Sequence, residues 1–145
     1  MQSLALKINP DQVMTVKRKY EYYVSISSDR SQRKPCSIVG ICNLPYGQVI
    51  VLDYTNYRLK LLDEQFNVTS CCDVLGNPTD ICQVTSNEVT VTSGYGVVMF
   101  MSVINWQLVN GRKFQLQHDA LGIVHHQGSL YININIPNIK LCLQK

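Results

Sequence analysis

Asp53 and Arg58 are the sharpest charged pair in the sequence, a carboxylate and a guanidinium separated by Tyr54-Thr55-Asn56-Tyr57. That spacing sets them at the two ends of a tight turn, where side chains on adjacent strands meet. The chemistry available is an ion pair that fixes the turn, with Asn56 supplying the turn conformation, or a contact to a ligand. His118, His125 and His126 invite a metal reading. Adjacent histidines on a strand point to opposite faces, and only Asp119 offers a further ligand nearby, so surface and loop histidines are expected. The six cysteines, Cys36, Cys42, Cys71, Cys72, Cys82 and Cys142, contain no Cys-x-x-Cys spacing of a zinc or redox site. No Gly-x-Ser-x-Gly elbow, Walker-type loop or His-Glu-x-x-His occurs, and no two carboxylates pair for acid–base work. Ser93-Gly94-Tyr95-Gly96 is glycine-rich but opens no helix, so it reads as a turn and not a phosphate cradle. The expectation is a non-enzyme with no metal and no cofactor.

Residues suited to binding are easier to find. Tyrosine supplies eight of the twelve aromatics. Tyr54, Tyr57 and Tyr95 fall in turns, and with Arg58 they are the candidate partner-binding residues, because tyrosine and arginine offer large contact area with a polar handle. The basic residues form a second candidate. The formal charge of +3 comes from residues 1–35, which carry seven basic and three acidic side chains. Lys17, Arg18 and Lys19, with Arg33 and Lys34, form a basic patch that reads either as a solubilising strand edge or as a contact for an anionic partner. So small a net charge makes RNA a secondary expectation.

These residues need a scaffold. The chain has 145 residues, 46% hydrophobic and 16% charged, which suits one domain and argues against wholesale disorder. The longest apolar runs, 49–52 and 97–101, are far short of the roughly 18 residues of a membrane helix. No signal peptide is read at the N-terminus, so reduced cysteines and a cytoplasmic location are expected.

The chain repeats itself. Val39-Gly40-Ile41-Cys42, Thr79-Asp80-Ile81-Cys82 and Leu121-Gly122-Ile123-Val124 align, with Ile41 and Ile81 separated by 40 residues and Ile81 and Ile123 by 42. The segments 48–53, 88–93 and 129–134 align next, followed by 59–62, 98–101 and 139–142. Each copy reads strand, turn, strand, turn, strand, and fourth strands are expected at 67–73 and near 111–117. No stretch holds a 3.6-residue period. Four short antiparallel strands every forty or so residues mark β-propeller blades; a β-sandwich need not repeat in fours. The fold class expected is all-β, a partial, open β-propeller of about three four-stranded antiparallel blades. The division is 1–11 as an extension, 12–35 as outer strands of a blade plus a basic loop, 36–75 and 76–118 as blades, and 119–145 as an incomplete blade. The inner runs 38–44 and 121–124 are expected to be buried on both sides.

Gly47 through Lys60 resembles an NHL-repeat core: hydrophobics, Asp53, two residues, Asn56, one residue, Arg58 and an aliphatic. The phrases 16–27, 61–68 and 111–119, the last continuing into 122–128, resemble the C-terminal propeller of invertebrate tripartite-motif (TRIM-like) proteins. That resemblance implies a ring of about six blades, of which this chain holds roughly half. It also implies a non-catalytic protein-interaction module, like the substrate-recognition propeller of a TRIM-like ubiquitin ligase. The zinc-binding RING and B-box modules of that family are absent from this sequence. RNA binding, as in some NHL-type propellers, and an inert truncated product are the alternatives. Exposed blade edges would let two copies close a ring as a homodimer.

Overall fold

The computed structural model describes residues 2–4, 19–134 and 140–144, with only the backbone described at 2–4, 19 and 140–144. Its strands are β1 (Gln2–Leu4), β2 (Lys19–Glu21), β3 (Ile38–Asn43), β4 (Val49–Asp53), β5 (Arg58–Leu62), β6 (Val68–Asp73), β7 (Pro78–Thr85), β8 (Glu88–Ser93), β9 (Val97–Ile104), β10 (Gln107–Gln115), β11 (Ala120–His126), β12 (Ser129–Ile134) and β13 (Lys140–Gln144). They form antiparallel sheets in sequence order: β3-β4-β5-β6, β7-β8-β9-β10 and β11-β12-β13, plus the hairpin-like pair β1-β2. The fold is all-β, a partial β-propeller of antiparallel blades. Among the described residues no helix is long and apolar enough to cross a membrane.

The repeat seen in the sequence is visible in the hydrogen-bond register. Ile41 pairs with Val51, Ile81 with Val91 and Ile123 with Ile132. Each first strand carries an extra residue at the same repeat position, Val39, Thr79 and Leu121, where the register shifts by one. A bulge repeated in place bends all three inner strands alike. The central strands β4, β5, β8 and most of β9 are buried on both faces, β4 and β5 between the second sheet and the segment around Val24, whereas the outer β6 alternates. One core joins the first two sheets through Leu52, Leu59, Ile81, Val91 and Met99; a second joins the next two through Phe100, Ile123, Leu130 and Ile132.

Three expectations need correction. Of the outer strands expected within 12–35, residues 12–18 lie outside the described residues and the rest is limited to β2; the chain then runs irregularly, with the Val24 carbonyl accepting a hydrogen bond from the buried Lys60 ammonium in place of a ladder partner. The fourth strand of the second sheet begins at Gln107, not near Gly111. The two-residue turn Asn105-Trp106, both left-handed at φ 50 and 62, closes the β9–β10 hairpin early, and tryptophan gives little turn signal. Finally, the inner strands are not covered throughout: Val39 and Ile41 on β3, and Leu121 and Val124 on β11, are exposed.

Candidate functional site

Two arrangements stand out, one buried and one on the surface. The buried one grows from the Asp53–Asn56 turn. Asp53 Oδ1 accepts the backbone N–H groups of Thr55 and Asn56, and Asn56 Nδ2 donates to Asp53 Oδ2 at 2.8 Å. This is the turn-fixing role that an Asp/Asn pair performs by mimicking backbone. Asn56 Oδ1 in turn accepts from the Ser31 backbone, tying the loop before β3 to the turn.

The register sets Asp53 opposite Arg58, yet their charges do not pair. Lys60, two residues along β5 on the same face, reaches Asp53 Oδ2 at 3.0 Å and Asp29 Oδ2 at 2.7 Å, and all three side chains are shielded from water. Arg58 instead donates to Asp73 on β6 at 2.9 Å and contacts Asp29 and Ser28. The expected Asp53–Arg58 ion pair is thus replaced by a Lys60-centred one. Lys60 sits deep in the sheet, where no water competes for its charge, while Arg58 at the strand end turns toward the neighbouring strand.

Asp29, Cys36 and Asp53 hold their ligand atoms within 4.8 Å of one another, a donor set that suits a cation. The chain itself supplies the cation, since Lys60 Nζ donates to both carboxylates and lies 3.5 Å from Cys36 Sγ. Burial pulls the Lys60 ammonium down, but Asp29 and Asp53 outweigh it and raise its pKa. Burial pushes the Asp53 carboxyl up, but hydrogen bonds from Asn56 and Lys60 outweigh that and hold it low. Burial also raises the Cys36 thiol. A lysine held charged and a thiol held protonated are poor nucleophiles, so the cluster serves as an electrostatic pin.

The linkage has a sign. Asp53, depressed when folded, contributes stability that is full above its unfolded pKa of about 3.9 and is lost as pH falls through the folded value. Lys60, raised when folded, contributes stability that is full below about 10.4 and is lost as pH rises through the folded value. The urea midpoint is therefore expected to decline at both extremes, with the acid decline shallower in Asp53→Asn. Superimposable acid limbs in the two proteins would contradict this assignment.

The surface arrangement is a ridge of turns at one end of the blades. The β4–β5 turn presents Tyr54, 42% exposed, with Tyr57 edge-on to it at 6.1 Å between ring centroids. The Tyr57 carbonyl accepts from Val74 N in the β6–β7 connection, and the carbonyl of the next residue, Leu75, accepts from Ser93 Oγ. The β8–β9 turn follows, with Tyr95 left-handed at φ 65 and 73% exposed. Its backbone is pinned to the β10–β11 connection: Tyr95 N donates to Asp119 Oδ1, Leu116 N donates to Gly96 O, and Gln115 Nε2 donates to the Tyr95 carbonyl. Successive turns are thus bonded to one another, and Tyr54, Leu75 and Tyr95 stand exposed along them.

The structure places the sequence candidates as follows. Tyr54, Tyr57 and Tyr95 share this ridge. Arg58 lies beneath it, mostly buried, with its guanidinium engaged by Asp73 and Asp29. Arg33 and Lys34 are exposed in the loop before β3. Lys17 and Arg18 lie outside the described residues, and Lys19 is described only as backbone in β2. His118 and His126 are exposed. Sequence reasoning missed Lys60, Asp29 and Cys36 as a unit; the available signal was a lone lysine inside the apolar Leu59-Lys60-Leu61-Leu62 run. It also missed Tyr46 and Trp106, which flank a groove at the opposite end of the blades floored by Gln48, Asn87 and Val103.

No family model matches the sequence, and no curated protein matches it. Solved structures do match. A chain in the crystal structure of the mitotic checkpoint complex superposes with a TM-score of 0.60 at 10% identity, over 67% of this chain and 33% of that one. The similarity is one of fold, and this chain spans about a third of that neighbour's length.

Proposed function

We propose that the chain is a non-catalytic protein-interaction module whose docking surface is the turn ridge of Tyr54, Tyr57, Leu75 and Tyr95. The observation that carries the reading is that ridge. Tyr54 and Tyr95 are exposed and Tyr57 is half-buried beside Tyr54, yet the turns bearing them are bonded in series, so little ordering remains to be done on binding. Rigid exposed tyrosines are efficient interface anchors. Among the described residues, the Lys60 ammonium and the Cys36 thiol of the buried cluster are held in unreactive states, which favours a binding role over catalysis. The structural neighbour is a chain of the mitotic checkpoint complex, which agrees with this reading.

The finer reading rests on the family resemblance. It makes this the substrate-recognition propeller of a TRIM-like ubiquitin ligase, with the ligase chemistry on another module. The cytoplasm, where its free cysteines stay reduced, is the compartment that suits it.

The test compares affinity capture by wild type and by Tyr54→Ala/Tyr95→Ala, with thermal melting as the folding control. A partner lost from the double variant at unchanged melting temperature supports the ridge. Removing two anchors should cost roughly 2 kcal/mol or more, about thirtyfold in affinity. Identical partner sets would move the docking surface elsewhere. A captured protein whose ubiquitylation in cells falls with the same variant would support the ligase reading.

A further inference from the structure

The sheets repeat one interface, and the repeat leaves one copy of each half uncovered. Where the second sheet meets the first, Ile81 of β7 is buried, and its Cγ2 lies 2.6 Å from where a Cβ on Gly40 would sit. Glycine there opens a notch that the following blade's isoleucine fills. Where the third sheet meets the second, Ile123 is likewise buried, although the Gly40 position there is Asp80, whose Oδ2 accepts the Ile123 N–H, and Cys82 packs against that core as Cys42 does in the first. By the repeat, Ile41 is the counterpart of Ile81 and Ile123, and Val124 is the counterpart of Cys42 and Cys82. Ile41 is 58% exposed and Val124 is 55% exposed.

The two uncovered halves have matching shapes. On the third sheet Gly122 recurs at the Gly40 position, and the nearest atoms to a Cβ built there are Asp80 Oδ2 at 3.6 Å and Asn133 Cβ at 3.8 Å. Together with Val124, Tyr131 and Asn133 it lines a hollow of about 340 Å³. On the first sheet the outer part of the free face is already covered, since Val24 packs on Val51 and Leu62. That leaves Ile41 of the inner strand to be covered. Among the described residues, Ile41 on one half and Leu121, Val124 and Tyr131 on the other are exposed and uncharged, so none of them sets a like charge against the contact.

We propose that these halves bind each other between two copies of this chain. The first sheet of one copy seats on the third sheet of the other, with Ile41 entering the hollow over Gly122 as Ile81 fills the notch at Gly40. The contact continues an interface the chain already makes with itself, so the complementary surface is encoded in every copy. A head-to-tail contact of this kind is made twice if two copies close on each other, which forms a ring of two arcs.

Light scattering after size exclusion tests this on the full 145-residue chain, with Ile41→Asp and Val124→Asp as probes. Both positions are exposed, so circular dichroism should be unchanged. The wild type is expected at twice the 16.4 kDa chain mass, and each single variant at the chain mass. Mixing the two variants should restore a dimer, because one of the two junctions then joins two unmodified halves. A wild-type chain that runs as a monomer would overturn the proposal. So would a dimer indifferent to both substitutions, or a mixture that stays monomeric.

Discussion

Lys60→Met is expected to destabilise the protein by about 3–5 kcal/mol, the usual consequence of removing one partner from a buried ionic cluster. Lys60 is the only described cation in contact with Asp53, and the Asp29, Asp53 and Lys60 side chains are almost completely shielded. Without the ammonium, two carboxylates stay buried close together. The Val24 carbonyl also loses its donor, which loosens the segment that covers the outer face of the first sheet. Urea unfolding measures the loss, and its pH dependence identifies the cause. In wild type the cluster loses stability as Asp53 protonates in acid. In Lys60→Met the buried Asp53 carboxyl, left without its ammonium, should titrate at a raised value, so folding is favoured as pH falls, the opposite slope. Lys60→Met/Asp53→Asn should recover part of the loss by removing one of the two opposed charges. A loss below about 1 kcal/mol, the range of a surface pair, would show that the cluster is not the pin described here.

Gly96→Ala is the second large effect. Gly96 has φ +75, and a Cβ there would lie 2.5 Å from His118 O and 2.6 Å from Leu116 O. Both contacts are backbone, so neither can yield by changing rotamer. Overpacking of this kind costs about 1–3 kcal/mol, and the left-handed conformation adds about 1 kcal/mol for a residue with a Cβ. Gly128→Ala is the control: its φ is +77, but nothing lies within 4 Å of the added carbon. It should show only the backbone part. Thermal denaturation of the two variants separates close approach from conformational strain, and equal shifts would remove the close-approach argument. Because Gly96 holds the Tyr95 turn against the β10–β11 connection, the variant should also weaken partner binding on the ridge.

Period and register were legible in the residues. The aligned Ile41, Ile81 and Ile123, the alternation of short apolar runs with turn residues, and the Asp53–Asn56 turn all rest on local chemistry. A strand, a tight turn and a repeat each depend on residues close in sequence. The ridge was partly legible, because turns that follow second strands must gather at one end of a stack of blades. Lys60 was not, since its partners lie 7 and 31 residues away and only folding brings Asp29 over the first sheet. Trp106 was not either, because a tryptophan in a left-handed turn runs against its ordinary preference and is held there by the hairpin around it.

The sequence by itself determined that this chain is built from repeated four-stranded antiparallel units with tyrosine-bearing turns and no familiar catalytic motif. Those properties follow from side-chain alternation and turn preference. Tertiary structure alone decided which charges pair, which turns join into one surface, and which halves of the repeated interface stay open. Each of these depends on distance in space and on exclusion of water, and neither quantity is written in the spacing of residues along a chain.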